Sequence, residues 1–183
     1  INSWAFYDWA NSVYSLVIAT AVFPLYYSAV TKDKVVNFLW IEWEHPDALY
    51  SYALSFSFLV VAFISPILSG IADYTGSKKK FLRFFCYLGA FSCMSLYFFN
   101  PARIELGMFS VFLASIGYWN SLVFYNAFLP EIAEPQDHDR ISARGFSMGY
   151  FGSMLLLVVC LALVMSAPKE TKIDMMRYCF ILV

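Results

Sequence analysis

The stretch PILSGIADYTGSKKKF, from Pro66 to Phe81, joins two apolar runs through a short cationic turn. The run before it is about twenty residues long, enough to cross the hydrocarbon of a bilayer as a helix. It ends in Gly70-Ile71-Ala72-Asp73. Gly76 sits at the centre of the turn, where a residue without a Cβ can take the positive φ or the close approach that a tight reversal needs. Lys78, Lys79 and Lys80 follow, then Arg83, and the next apolar run begins at once. Two membrane-spanning helices linked by a very short cationic loop account for this pattern. Lysines beside a span stay on the cytoplasmic side, so the loop is expected there.

Composition agrees with that class. Hydrophobic residues make up 61% of the chain and charged residues 14%, against about a half and a quarter in soluble domains. Nineteen Phe and thirteen Tyr among 183 residues are more than a soluble surface can hide. A formal net charge of −1 implies no nucleic-acid partner. Cys86, Cys93, Cys160 and Cys179 lie singly inside apolar runs, where thiols act as small hydrophobes. No metal-ligand spacing and no cofactor motif is present. The chain starts at Ile1 without a signal peptide and stops at Val183 inside a short apolar run, so it reads as an internal piece of a longer protein.

The expected architecture is all-α and polytopic, a single transmembrane unit over 1–183. Spans are expected at about 6–27, 50–72, 84–99, 106–129 and 145–167, with an incomplete sixth at 175–183. Pro24 should bend the first. The third is short and should stand upright or thin the bilayer locally. After the first span, the aromatic segment Val35 to Trp43 suits the membrane interface. The polar loop 130–144 should share a side with the lysine cluster. Basic residues divide evenly: Lys78, Lys79, Lys80, Arg83, Arg140 and Arg144 on one side, Lys32, Lys34, Arg103, Lys169, Lys172 and Arg177 on the other. The triple lysine therefore decides the orientation.

The pattern Gly70-x-x-Asp73-x-x-Gly76-x-Lys78-Lys79 between two spans resembles the loop between helices 2 and 3 of the major facilitator superfamily of transporters. Tyr74 and Ser77 stand where that family often carries basic residues. Trp4-Ala5-Phe6-Tyr7-Asp8-Trp9-Ala10-Asn11-Ser12 opens the first span. Phe124 to Ala133 closes the fourth, and Ile141 to Gly152 begins the fifth. Together these stretches resemble the branch that holds the autophagy-related vacuolar amino-acid effluxers and their uncharacterised bacterial relatives. The resemblance implies the six-helix N-terminal half of a twelve-helix fold, whose partner is the C-terminal half of the same transporter. It also implies that the first and fourth helices border a central cavity, and a bacterial inner or vacuolar-type membrane as the location.

On the first span Asp8, Asn11, Ser12 and Ser15 fall at i, i+3, i+4 and i+7 and share one helical face. Lipid cannot satisfy such a stripe. It faces either a water-filled cavity or a neighbouring helix. Asp8 lies at the membrane edge, as a coupling or gating carboxylate or as an end-of-helix anchor. On the fourth span Ser115, Tyr118, Ser121 and Tyr125 share a face near mid-depth, while Asn120 points to another helix. Transporter substrate sites lie near the midplane. Asn11, Ser15, Tyr118, Ser121 and Tyr125 are therefore the candidate solute contacts, on one shared cavity. Gly145, Gly149 and Ser153 form a small-residue packing seam. The central part of every full span lacks charge, so no buried proton relay is expected, and the solute should be neutral or zwitterionic.

A conformational switch is expected around Gly70, Asp73, Gly76, Lys78, Lys79 and Lys80. Asp73 and Glu131 should meet Arg140 or Arg144 in a latch; the alternative is a solvated charged loop. The expected function is secondary active or facilitative transport of a small, amino-acid-like solute across the lipid bilayer by alternating access. A non-transporting membrane receptor or scaffold subunit is the alternative. An enzyme is not expected, because no nucleophile–base pair or metal cluster appears.

Overall fold

A computed structural model describes residues 1–32 and 34–183. The helices are α1 (Asn2–Thr31), α2 (Pro46–Thr75), α3 (Lys78–Phe98), α4 (Ile104–Asn126), α5 (His138–Ser166) and α6 (Lys172–Leu182). Five of them, α1 to α5, are long and apolar enough to cross a membrane. With 11 residues, α6 falls short of the roughly twenty a crossing needs.

The helices overrun the apolar stretches. The third starts at Lys78 rather than Phe84, and the fifth at His138 rather than Gly145. Between α4 and α5 only a turn at Leu129–Ile132 and another at Pro135–Asp137 remain. Backbone groups inside a helix satisfy one another in headgroups and in water as well as in hydrocarbon, so a helix need not stop where the apolar residues do.

Gly76 ends α2 at φ 63° and ψ 26°, the left-handed region that glycine reaches without strain. The Ser77 N–H donates to Ala72 O at 3.0 Å, and α3 begins on the next residue. Three lysines at a helix N-terminus oppose the macrodipole, so helix stability does not explain their placement.

Helix α1 is not uniformly wound. Tyr14–Val22 is π-helical, and the Phe23 N–H reaches back five residues to Ile18 O. In that winding residue 24 would donate to Ala19 O, but proline has no N–H. The Tyr50 hydroxyl of α2 donates to Ala19 O instead, at 2.7 Å. A long-range side chain thus caps the gap that Pro24 leaves.

Packing pairs α1 with α5, and both α2 and α3 with α4, while α6 lies against α5 and the end of α3. Helices α3 and α4 approach closely, backbone to backbone. A Cβ on Gly117 would stand 2.5 Å from Gly89 N and 2.8 Å from Phe85 O. One apolar core gathers Phe23, Tyr26, Tyr27, Phe99 and Phe180; a second, near the lysine turn, gathers Ala72, Phe85, Ile116 and Phe124. Large apolar side chains on α2 and α5 point outward, Phe63 at 70% and Met165 at 73% exposure, as suits helices whose surroundings are lipid or more protein.

The aromatic segment after α1 forms a hairpin. Strand β1 (Val36–Phe38) pairs antiparallel with β2 (Ile41–Trp43). Its turn residues Leu39 and Trp40 take φ 50° and 65°, a strained choice for residues with a Cβ.

Candidate functional site

The N-terminal turns of α1 lie flat on α5 because glycines stand opposite them. A Cβ on Gly145 would come 2.9 Å from the Trp4 ring, and one on Gly149 would come 2.6 Å from Ser12 Oγ. Above this seam Trp4 stacks on Tyr125 of α4, centroids 4.2 Å apart, and its Nε1–H donates to Tyr125 O at 3.0 Å. Tyr7 stacks on the same ring at 5.1 Å. Asp8 is buried at 3% exposure, and Ser12 Oγ donates to its Oδ1 at 3.0 Å. Its place at the membrane edge allows a coupling or gating carboxylate or an end-of-helix anchor, and neither reading requires burial. Coverage by α5, which sequence spacing does not reveal, buries it.

Two cavities flank the α1–α4 contact. The first, about 210 Å³, lies among α1, α3 and α4 and is bordered by Asn11, Tyr14, Gly89, Tyr118 and Ser121. The second, about 250 Å³, lies among α1, α4 and α5 and is bordered by Ser12, Ser15, Thr20, Tyr118, Tyr150 and Ser153. The five candidate solute contacts therefore do not share one cavity. Ser15 borders the second, Asn11 and Ser121 the first, Tyr118 both, and Tyr125 neither. Nor do α1 and α4 look at each other across an open space here. Ser121 Oγ donates to Asn11 Oδ1 at 3.2 Å and to Tyr118 O at 2.8 Å. Tyr125 is occupied by its aromatic stack. The π-helical stretch is one reason for the split: an extra residue per turn rotates everything after Val13 away from the face that regular spacing assigns.

Asn120 is held by α2, its Oδ1 accepting from Ser65 Oγ at 2.9 Å, as its angular position on α4 suggests. The hydroxyls of Tyr14 and Tyr125 and the amide nitrogen of Asn11 are buried without a hydrogen-bond partner. Tyr14, three residues after Asn11 and on the first cavity, was legible as a polar side chain in an apolar span and was not among the candidate contacts. Thr20 and Tyr150 were likewise missed.

At the lysine turn Asp73 and Glu131 meet a different cation from the expected arginines. Lys78 Nζ lies 3.0 Å from Asp73 Oδ1 and 2.7 Å from Glu131 Oε1. Arg140 instead pairs with Asp137 at 2.9 Å, three residues away on its own chain segment. Arg144 has no ion pair among the described residues. Because α5 starts early, both arginines ride on its first turns, whereas Lys78 opens α3 between the end of α2 and the turn after α4. Lys79, Lys80 and Gly70 are exposed, and a Cβ on Gly70 would meet nothing within 4 Å.

Long apolar helices with polar groups gathered at their contacts define an integral, multi-pass membrane protein. The family model described as "Vacuole effluxer Atg22 like" matches residues 1–138, and the chain belongs to that family. It is 38% identical over 170 residues to the "Uncharacterized MFS-type transporter YxiO" of Bacillus subtilis, covering 93% of this chain and 39% of that protein. It is 35% identical over 85 residues to "Autophagy-related protein 22" of Yarrowia lipolytica, covering 46% of this chain and 14% of that protein. The chain thus spans well under half the length of these relatives. No solved structure matches it.

Proposed function

We propose that this chain is the six-helix N-terminal half of a major facilitator fold, with α6 as the start of its sixth helix. The complete protein then moves a small neutral or zwitterionic, amino-acid-like solute by alternating access. The observation that carries this reading is the second cavity. It opens among α1, α4 and α5, and apart from Leu16 every residue lining it carries a hydroxyl or an aromatic ring, with no charged side chain among them. Such a wall binds by hydrogen bonds and aromatic contact, about 0.5–1.5 kcal/mol net per bond, and leaves any charge to the other half. Family membership supports a transporter rather than an enzyme.

In this reading Ser15 and Tyr118 touch the solute. Asn11 and Ser121 fix the α1–α4 register behind it, and Tyr125 anchors the start of α1. The α2–α3 turn is the switch, with Asp73, Gly76, Lys78 and Glu131 in the bridge. Gly70, Lys79, Lys80, Arg140 and Arg144 lie on the surface beside it, toward lipid headgroups or the C-terminal half. The lysine end is cytoplasmic. Cysteines at Ser77 and Gln136 should react with impermeant reagent from one side and a cysteine at Asn37 from the other; labelling of Ser77 and Asn37 from the same side refutes this orientation.

The test of function is flux. Full-length protein in proteoliposomes should give saturable uptake of at least one member of a panel of radiolabelled neutral amino acids, with a sugar and a dipeptide as controls. Absence of amino-acid flux, or flux unchanged by Tyr118→Ala, would refute the assignment.

A further inference from the structure

The buried carboxyl of Asp8 has no place in the solute site or in the lysine bridge. It is 3% exposed, and its one side-chain hydrogen bond comes from the neutral Ser12 hydroxyl. Among the described residues no Lys, Arg or His lies within ion-pairing distance. The titratable side chains around it are Tyr7 on its own helix and Tyr118 and Tyr125 on α4; all three are uncharged near neutrality. From α5 comes Gly149, while Arg140 and Arg144 remain exposed at that helix's start. Asp8 is the seventh residue of α1, beyond the first turn over which the macrodipole steadies an anion. A buried carboxylate with no cation is costly, and such a group takes up a proton instead.

We propose that Asp8 is a proton-binding site that is neutral while the α1–α5 seam is closed, and that losing the proton loosens the seam. The geometry supplies the link. Gly149 allows α5 to lie against Asp8, for a Cβ there would stand 3.2 Å from Oδ2. The carboxyl's one side-chain hydrogen bond comes from its own helix and none comes from α5, so the charged form favours withdrawal of the helix and entry of water. The path for the proton runs through Ser12, which touches the carboxyl and also borders the second cavity. Ser12 passes its hydroxyl proton to the carboxylate and takes one from a hydronium in the cavity, leaving water. Use of this proton as a coupling ion rests on the transport reading above; its binding does not.

The test reads binding without any solute. Full-length protein in liposomes is titrated over about pH 5 to pH 9, which brackets and exceeds the ordinary carboxyl range, with infrared difference spectra of wild type and Asp8→Asn. The expected result is a protonated-carboxyl stretch in wild type that persists above the range of exposed aspartates, vanishes at alkaline pH and is missing from Asp8→Asn. A wild type without that band, or a band that survives in Asp8→Asn, overturns the proposal. If the variant fails to fold, wild type alone decides. Dicyclohexylcarbodiimide, which attacks protonated carboxyls in apolar surroundings, should label the Asp8 peptide, less so as pH rises. Labelling only at other carboxyls overturns the site. Flux failing while the band is present would sink the transport reading and leave the proton site standing.

Discussion

Lys78→Met removes one ammonium and keeps the aliphatic stem, so it isolates the bridge at the α2–α3 turn. Lys78 Nζ meets Asp73 at 3.0 Å and Glu131 at 2.7 Å, with the lysine side chain 21% exposed and the carboxylates 57% and 51%. Pairs this exposed contribute roughly 0–1 kcal/mol each, so the bridge is worth about 1 kcal/mol and no more than about 2. One atom ties the end of α2, the start of α3 and the turn after α4, so that energy favours whichever state keeps the three together. A loss of about 1 kcal/mol changes a two-state ratio roughly fivefold, and about 2 kcal/mol roughly thirtyfold. The assay is the alkylation rate of a single cysteine at Gln136, in full-length protein on a background free of other reactive cysteines. Lys78→Met should raise that rate several-fold at low salt and less at high salt, where exposed charges are screened. Lys79→Met is the control, since Lys79 is exposed and has no ion pair among the described residues. Equal effects from the two substitutions, or an effect indifferent to salt, would refute the bridge.

Four further outcomes follow from the contacts of single residues. Gly117→Ala drives a Cβ into the backbone of Gly89 and Phe85, which cannot step aside; roughly 1–3 kcal/mol or more should be lost, read as a lower melting temperature in detergent. Gly70→Ala, with open space around it, should instead hold or raise the melting temperature, because alanine is about 1 kcal/mol better than glycine inside a helix. Tyr50→Phe uncaps the half-buried Ala19 O beside Pro24 and should cost about 1 kcal/mol, the net worth of one hydrogen bond; an unchanged melting temperature would show that the carbonyl has found another donor. Tyr118→Phe should weaken uptake about tenfold or less without altering the melting temperature, and a matched fall in both would assign the residue to packing.

The boundaries of the apolar runs and the reversal at Gly76 were legible because both are local. Hydropathy over some twenty residues registers the cost of bare backbone and charge in hydrocarbon, and a turn that needs a positive φ announces its glycine. The Asn120 side chain could also be placed on a neighbouring helix, since angular position along regular α4 is set by its own period. The same rule failed on α1, where Tyr14–Val22 is π-helical: no residue type in YSLVIATAV marks the change of winding, and Pro24 explains it only once Tyr50 is seen at Ala19 O.

By itself the sequence determined the membrane class, the mostly helical build and the place of the cationic turn, because the solvent a segment tolerates depends on its own residues; the hairpin at 36–43 is the exception to an all-helical chain. The tertiary structure alone decided three things. It chose Lys78 over Arg140 and Arg144 as partner of Asp73 and Glu131, a choice among cations of nearly equal worth that only the start of each helix resolves. It divided the polar residues of α1 and α4 between two cavities, which depends on helix winding and rotation. And it buried Asp8, near the end of its helix, because α5 presents glycine there and comes close enough to exclude water; burial belongs to the neighbour's shape as much as to the residue.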